Sequence, residues 1–131
     1  MTEKANLEEM LDKWCERKVS YRFLFLRTVP EWWTKGLDPL VKTFTIDAMQ
    51  RQVRGELSPR DEALSVRFER NGFTVAHALA GTVGLPKGFD SWELADNRGW
   101  TVAHEAAQSK CLPKNFSRWE LADNRGWTVA H

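Results

Sequence analysis

Three histidines, His77, His104 and His131, are the side chains of this sequence best suited to chemistry, because imidazole is a common metal ligand and a frequent general base. Each closes the string T-V-A-H, and they recur every 27 residues (104 − 77 = 27, 131 − 104 = 27). That regularity argues against a shared centre. A residue repeated once per stacking unit sits about 10 Å from its copy by ordinary helix-packing distance, whereas zinc ligands bond at about 2 Å. Cys15 and Cys111 are too far apart in sequence for a metal knuckle or redox pair and read as reduced, buried thiols. "GTVGLPKG" at 81–88 lacks the phosphate-loop spacing G-x-x-x-x-G-K-[ST], and no apolar strand precedes it. No G-x-S-x-G, H-E-x-x-H or C-x-x-C string occurs. No catalytic residue, metal or cofactor is therefore expected.

The elements that position these residues belong to a repeat. "WELADNRGWTVAH" at 92–104 returns letter for letter at 119–131, "NGFTVAH" at 71–77 is an earlier copy, and "LPKGF" at 85–89 reappears as "LPKNF" at 112–116. In the two identical copies Asp and Asn precede a glycine suited to positive φ, Gly99 or Gly126, which predicts a tight turn. Thr101 then caps a helix through Val102, Ala103, His104, Ala106 and Ala107, and Pro113 opens a second short helical turn containing Phe116. Trp92 and Trp119, each two residues before a leucine, are expected to pack between repeats.

Upstream of the repeats the pattern is helical. Leu7, Met10, Leu11 and Trp14 fall at i, i+3, i+4 and i+7, with Asn6 as N-cap and Glu8 and Glu9 at the positive end of the helix dipole. Residues 21–27 read as a short buried helix rather than a strand, and Pro30 breaks the chain. Asp38-Pro39 starts a helix through Leu40, Phe44 and Ala48 that Gly55 ends, and Ser58-Pro59 starts another across Ala63, Leu64 and Phe68. The predicted fold class is all-α: a helical cap at 1–68, then repeats at 69–95, 96–122 and a partial one at 123–131.

"DNRGWTVAHEAA" at 96–107 resembles the ankyrin-repeat core D-x-x-G-x-T-P-L-H-x-A-A through Asp96, Gly99, Thr101, His104, Ala106 and Ala107. The copies keep Gly72, Thr74 and His77, and Asp123, Gly126, Thr128 and His131. Two departures stand out: Val-Ala replaces Pro-Leu, and the period is 27 rather than 33, which shortens the second helix. The resemblance implies helix–turn–helix units with β-turn fingers, in which the histidine bonds to the threonine and to neighbouring backbone. It also implies that Phe73, Trp100 and Trp127, just after the glycine, face a partner, with Asn97, Arg98, Asn124 and Arg125 at the rim of that surface.

Composition sets the remaining bounds. With 42% hydrophobic residues and seven tryptophans in 131 residues the chain is not disordered. A net charge of +1 gives no basic excess for nucleic acid, so DNA or RNA is not an expected partner. The charged N-terminal stretch has no signal-peptide core and no segment is a membrane span, so a cytoplasmic setting is expected. The final finger lacks the helix that should follow it and no capping repeat is visible, which fits a homodimer or partner over that end and fits equally a sequence cut short there. The functional expectation is a non-enzymatic protein–protein interaction module, an adaptor or inhibitor. The alternative is an enzyme whose site lies in the N-terminal half around Tyr21, Trp32 and Trp33, with the repeats positioning a substrate.

Overall fold

The computed structural model describes residues 2–22, 39–68 and 72–129. These residues are helical and contain no β-strand, only three isolated antiparallel bridges. Residues 23–27, Pro30, Trp32, Trp33, Asp38 and His131, on which several sequence expectations fall, lie outside the described set.

Helix α1 (Thr2–Arg22) is built from Leu, Glu and Lys without Gly or Pro. It begins at Thr2, which leaves Asn6 exposed inside the helix instead of at its N-cap. Leu7, Leu11 and Trp14 are buried as their spacing predicts, Cys15 joins them, and Met10 points outward. Burial raises the Cys15 thiol to about 12, with the Asp12 carboxylate adding to the effect, so this cysteine stays protonated. Lys42 of the next helix reaches back to Glu8 at 3.1 Å and Asp12 at 3.6 Å.

Helix α2 (Pro39–Val53) starts at the expected proline and stops before Gly55, whose φ of 72° turns the chain. Its buried face differs in part from the expected one, with Ala48 buried as expected. Val41, Thr45, Ile46, Ala48 and Met49 face the core, while Leu40 and Phe44 are exposed. Two apolar stripes at i, i+4 spacing run along this helix, and periodicity alone does not choose between them.

The helix expected from Pro59 to Phe68 is replaced by one 3-10 turn, Glu62–Ser65. Asp61 caps it by accepting the Ala63 N–H at 2.9 Å and anchors it to α2 by accepting Arg51 Nη1 at 2.7 Å. The Ala63 N–H and the Arg51 guanidinium hold this carboxyl below its ordinary range. Beyond the turn, the Phe68 N–H donates to Phe73 and the Val75 N–H to Val66. Those bonds hold 66–68 extended.

Helices α3 (Val75–Ala80) and α4 (Val102–Gln108) fall where the T-V-A-H strings predict. Six and seven residues are too few to be helical alone, where about 12 or more are needed. Caps and burial supply the difference. No second helix follows either one: the Phe116 N–H donates to Pro113 in a single turn at 3.1 Å, and the Phe89 N–H donates to Pro86 likewise. The 27-residue unit is therefore one helix, one proline loop and one finger. A single apolar cluster runs from Leu7 to Val129. No helix among the described residues is long and apolar enough to cross a membrane.

Candidate interaction surface

The fingers at 96–99 and 123–126 are aspartate-centred turns. Asp96 Oδ1 accepts the Arg98 and Trp100 N–H groups at 2.8 and 3.0 Å, and Asp123 Oδ1 accepts those of Arg125 and Trp127 at the same distances. Gly99 and Gly126 take φ of 80° and 84° to close the turns, a conformation that disfavours a side chain. Asp123 also binds Arg125 through Oδ2 at 2.9 Å. Burial alone would raise its pKa, but the Arg125 guanidinium and the Trp127 and Arg125 N–H groups outweigh it and lower the carboxyl.

The stretch before each finger satisfies the helix after it. The first N–H groups of a helix have no partner within it. In α4 the Val102 N–H goes to Leu94 O at 2.9 Å, the Ala103 N–H to Trp92 O at 3.3 Å, and the His104 N–H to Thr101 Oγ1 at 3.2 Å.

His77 and His104 then join one finger to the next. His77 Nδ1 accepts the Thr74 N–H at 3.1 Å, so the ring proton sits on Nε2 and donates to Trp100 O at 2.8 Å. His104 repeats this with the Thr101 N–H at 3.2 Å and Trp127 O at 2.7 Å. Each imidazole completes a capping box in the place usually taken by Glu or Gln. Among the described residues no group of His, Cys, Asp or Glu is arranged to hold a metal.

Burial pushes His77 down from 6.5 to about 4, against the opposing bond to Trp100 O and the nearby carboxylates of Glu105 and Asp96. Between those two values the unfolded chain binds the proton and the folded chain does not, so stability falls as pH falls through that window. We expect full stability above about pH 6.5 and a loss approaching about 3 kcal/mol near pH 4 from this group. Urea melts at pH 7 and pH 4.5 check this, with His77→Gln as the variant that removes the dependence.

The positions expected to face a partner divide. Phe73 is fully buried, in edge contact with Trp14 at 5.2 Å, and Trp100 is buried with its indole N–H on Glu105 Oε1 at 3.0 Å. Phe73 packs under Trp14 of α1, and Trp100 lies against Glu105 and His104 of α4, which corrects the expectation of a three-rung outward ladder. Trp127 is exposed, with the Arg125 guanidinium 4.3 Å from its ring centroid. Asn97 and Asn124 sit at finger-to-finger junctions: Asn97 lies over Gly72 and Asn124 over Gly99, and the Asn124 N–H donates to Arg98 O at 2.9 Å. Arg98 and Arg125 are exposed at the finger tips.

An aromatic row does exist, on the proline loops instead. Phe89, Trp92, Phe116 and Trp119 stack edge to face at 5.1, 5.3 and 4.8 Å. The row grades from buried Trp92 to exposed Trp119. Beside it an open groove of about 540 Å³ runs between the two loops, lined among others by Lys87, Asp90, Phe116 and Arg118. A smaller hollow of about 240 Å³ lies between Trp127 and α4.

Sequence reasoning did not single out Glu105, almost fully buried on α4. Its Oε2 accepts Trp14 Nε1 from α1 and its Oε1 accepts Trp100 Nε1, both at 3.0 Å. The signal was present: 27 residues earlier the pair Phe73 and Ala78 occupies these positions. Phenylalanine has no N–H to satisfy and needs no acceptor; tryptophan needs one. No family model matches the chain, and no curated protein or solved structure matches it either.

Proposed function

We propose that the chain is a non-enzymatic protein-binding module, an ankyrin-like repeat set on a helical cap, which holds a protein partner through Trp119 and Trp127. The observation that carries this reading is that these two indoles are exposed while the tryptophans 27 residues before them, Trp92 and Trp100, are buried. Half-exposed tryptophans are efficient contact anchors, because they bury a large area with little rotamer loss. Arg125 and Arg98 at the finger tips add charged rim contacts. His77, His104 and Glu105 bind other groups of the chain, which supports a scaffold role over catalysis. Cys15 and Cys111 are both free, which supports a reducing compartment such as the cytoplasm. An adaptor or an inhibitor would work in this way.

The test is affinity capture from source-cell lysate with the native chain and with Trp119→Ser, Trp127→Ser. Both side chains are half-exposed, so the double variant is expected to keep its circular dichroism spectrum and lose the partner. Equal capture by the two folded proteins would contradict the assignment.

A further inference from the structure

The proline loops at 85–90 and 112–118 are two copies of one structure, each closed by a single turn in which the Phe89 or Phe116 N–H donates to the proline carbonyl. Among the described residues no helix lies between α3 and α4 or after α4, so the loops stand side by side with the groove of about 540 Å³ between them. Both walls are whole loops, and a finger follows each. The volume is that of a ligand cleft, for which about 300–1,000 Å³ is usual.

The floor of this groove is apolar and closed. Phe89, Trp92 and Phe116 interlock edge to face and are 6%, 8% and 8% exposed, so no ring face is open for a nucleic-acid base to stack on. The rim is cationic. Lys87 stands on the first wall and Arg118 on the second, and Asp90 is the one acid in the lining. Arg118 gives Nε to Glu120 at 3.0 Å, and its two Nη groups have no partner among the described residues. Lys87 and the exposed Lys110 and Lys114 form no ion pair among the described residues either. Residues 85–90 and 110–118 thus hold four cations and one acid, +3 (4 − 1 = 3) in a chain whose net charge is +1.

We propose that the groove binds an extended acidic peptide segment of a protein partner, with carboxylates on Arg118 Nη and on Lys87 and an apolar side chain on the Phe89, Trp92 and Phe116 floor. A guanidinium offers a carboxylate two parallel N–H groups, and the lysine adds a point charge. This rests on the protein-binding reading above and adds a contact that uses neither Trp119 nor Trp127.

The test selects a displayed random-peptide library on the full chain. Selected peptides are expected to carry Asp or Glu beside one Leu or Phe and to shift the amide NMR signals of 85–90 and 111–118. Their affinity is expected to fall about tenfold or more in Lys87→Gln, Arg118→Gln and to rise in Asp90→Asn, both variants being checked for folding by circular dichroism. Peptides without an acidic excess, shifts that fall elsewhere, or affinity unchanged in the folded variants would overturn the inference. So would an oligouridylate that shifts the same signals while no peptide is selected. The Trp119→Ser, Trp127→Ser protein is expected to keep the selected peptides, so loss of lysate capture and loss of groove binding are read separately.

Discussion

Glu105→Ala is expected to remove about 3–5 kcal/mol of stability, most of what a small domain possesses. The carboxylate is buried and holds two indole N–H groups, Trp14 from α1 and Trp100 from the second finger, one on each oxygen. Alanine leaves both donors dry without an acceptor, at about 1–3 kcal/mol each, and leaves a cavity as well. Glu105→Gln is a sharper probe. Its amide offers one accepting oxygen and turns an NH2 towards the other indole, so it is expected to lose about 2 kcal/mol despite equal volume. The Phe73/Ala78 pair in the preceding repeat suggests the rescue: Trp100→Phe with Glu105→Ala should lose less than the two single losses added together. Urea denaturation of the set checks this. A Glu105→Ala loss below about 1 kcal/mol would show that the clamp is not structural.

Gly81→Ala is the second large effect, and its direction runs against local expectation. Gly81 caps α3 with φ −88°, a conformation alanine adopts without strain, and such a change ordinarily stabilises by about 0.4–1 kcal/mol. Here α1 crosses at contact distance. An added methyl would overlap Nε1 and Cδ1 of Trp14 and come within 3.0 Å of Glu105 Oε2, while Arg17 Nη2 already bonds Gly81 O at 3.2 Å. Neither partner can swing aside, because Trp14 is enclosed by Phe68 and Phe73 at 6.2 and 5.2 Å. Overpacking and the broken indole bond together are expected to cost about 3 kcal/mol or more, visible as a fall in Tm of many degrees. An unchanged or raised Tm would mean that α1 does not pack on α3 this closely.

Local features were legible in the sequence, and long-range ones were not. The aspartate–glycine turns, the Thr101 cap and the start of α4 follow from short spacings whose chemistry is completed within a few residues. The repeat itself told that His77 and His104 do the same job. The phase of α2 was hidden because Leu40 and Phe44 share the spacing of the buried stripe. The direction of Phe73 and Trp100 depended on what lies over each finger, and for Phe73 that is Trp14, 59 positions away in sequence (73 − 14 = 59). The Trp14–Glu105 bond spans 91 residues, and no local pattern announces such a contact. A comparison of repeats still pointed towards it, through the acid that stands where the earlier copy has alanine.

Trp119 and Trp127 face outward while Trp14, Trp92 and Trp100 are held inside. Fluorine NMR of the 5-fluorotryptophan protein, with resonances assigned by single Trp→Phe variants, measures this directly when a soluble paramagnetic agent is added. Strong broadening is expected for the Trp119 and Trp127 signals and little change in those of Trp14, Trp92 and Trp100. Broadening of Trp100 equal to that of Trp127 would contradict it, because the fingers would then form the outward ladder that burial has ruled out here.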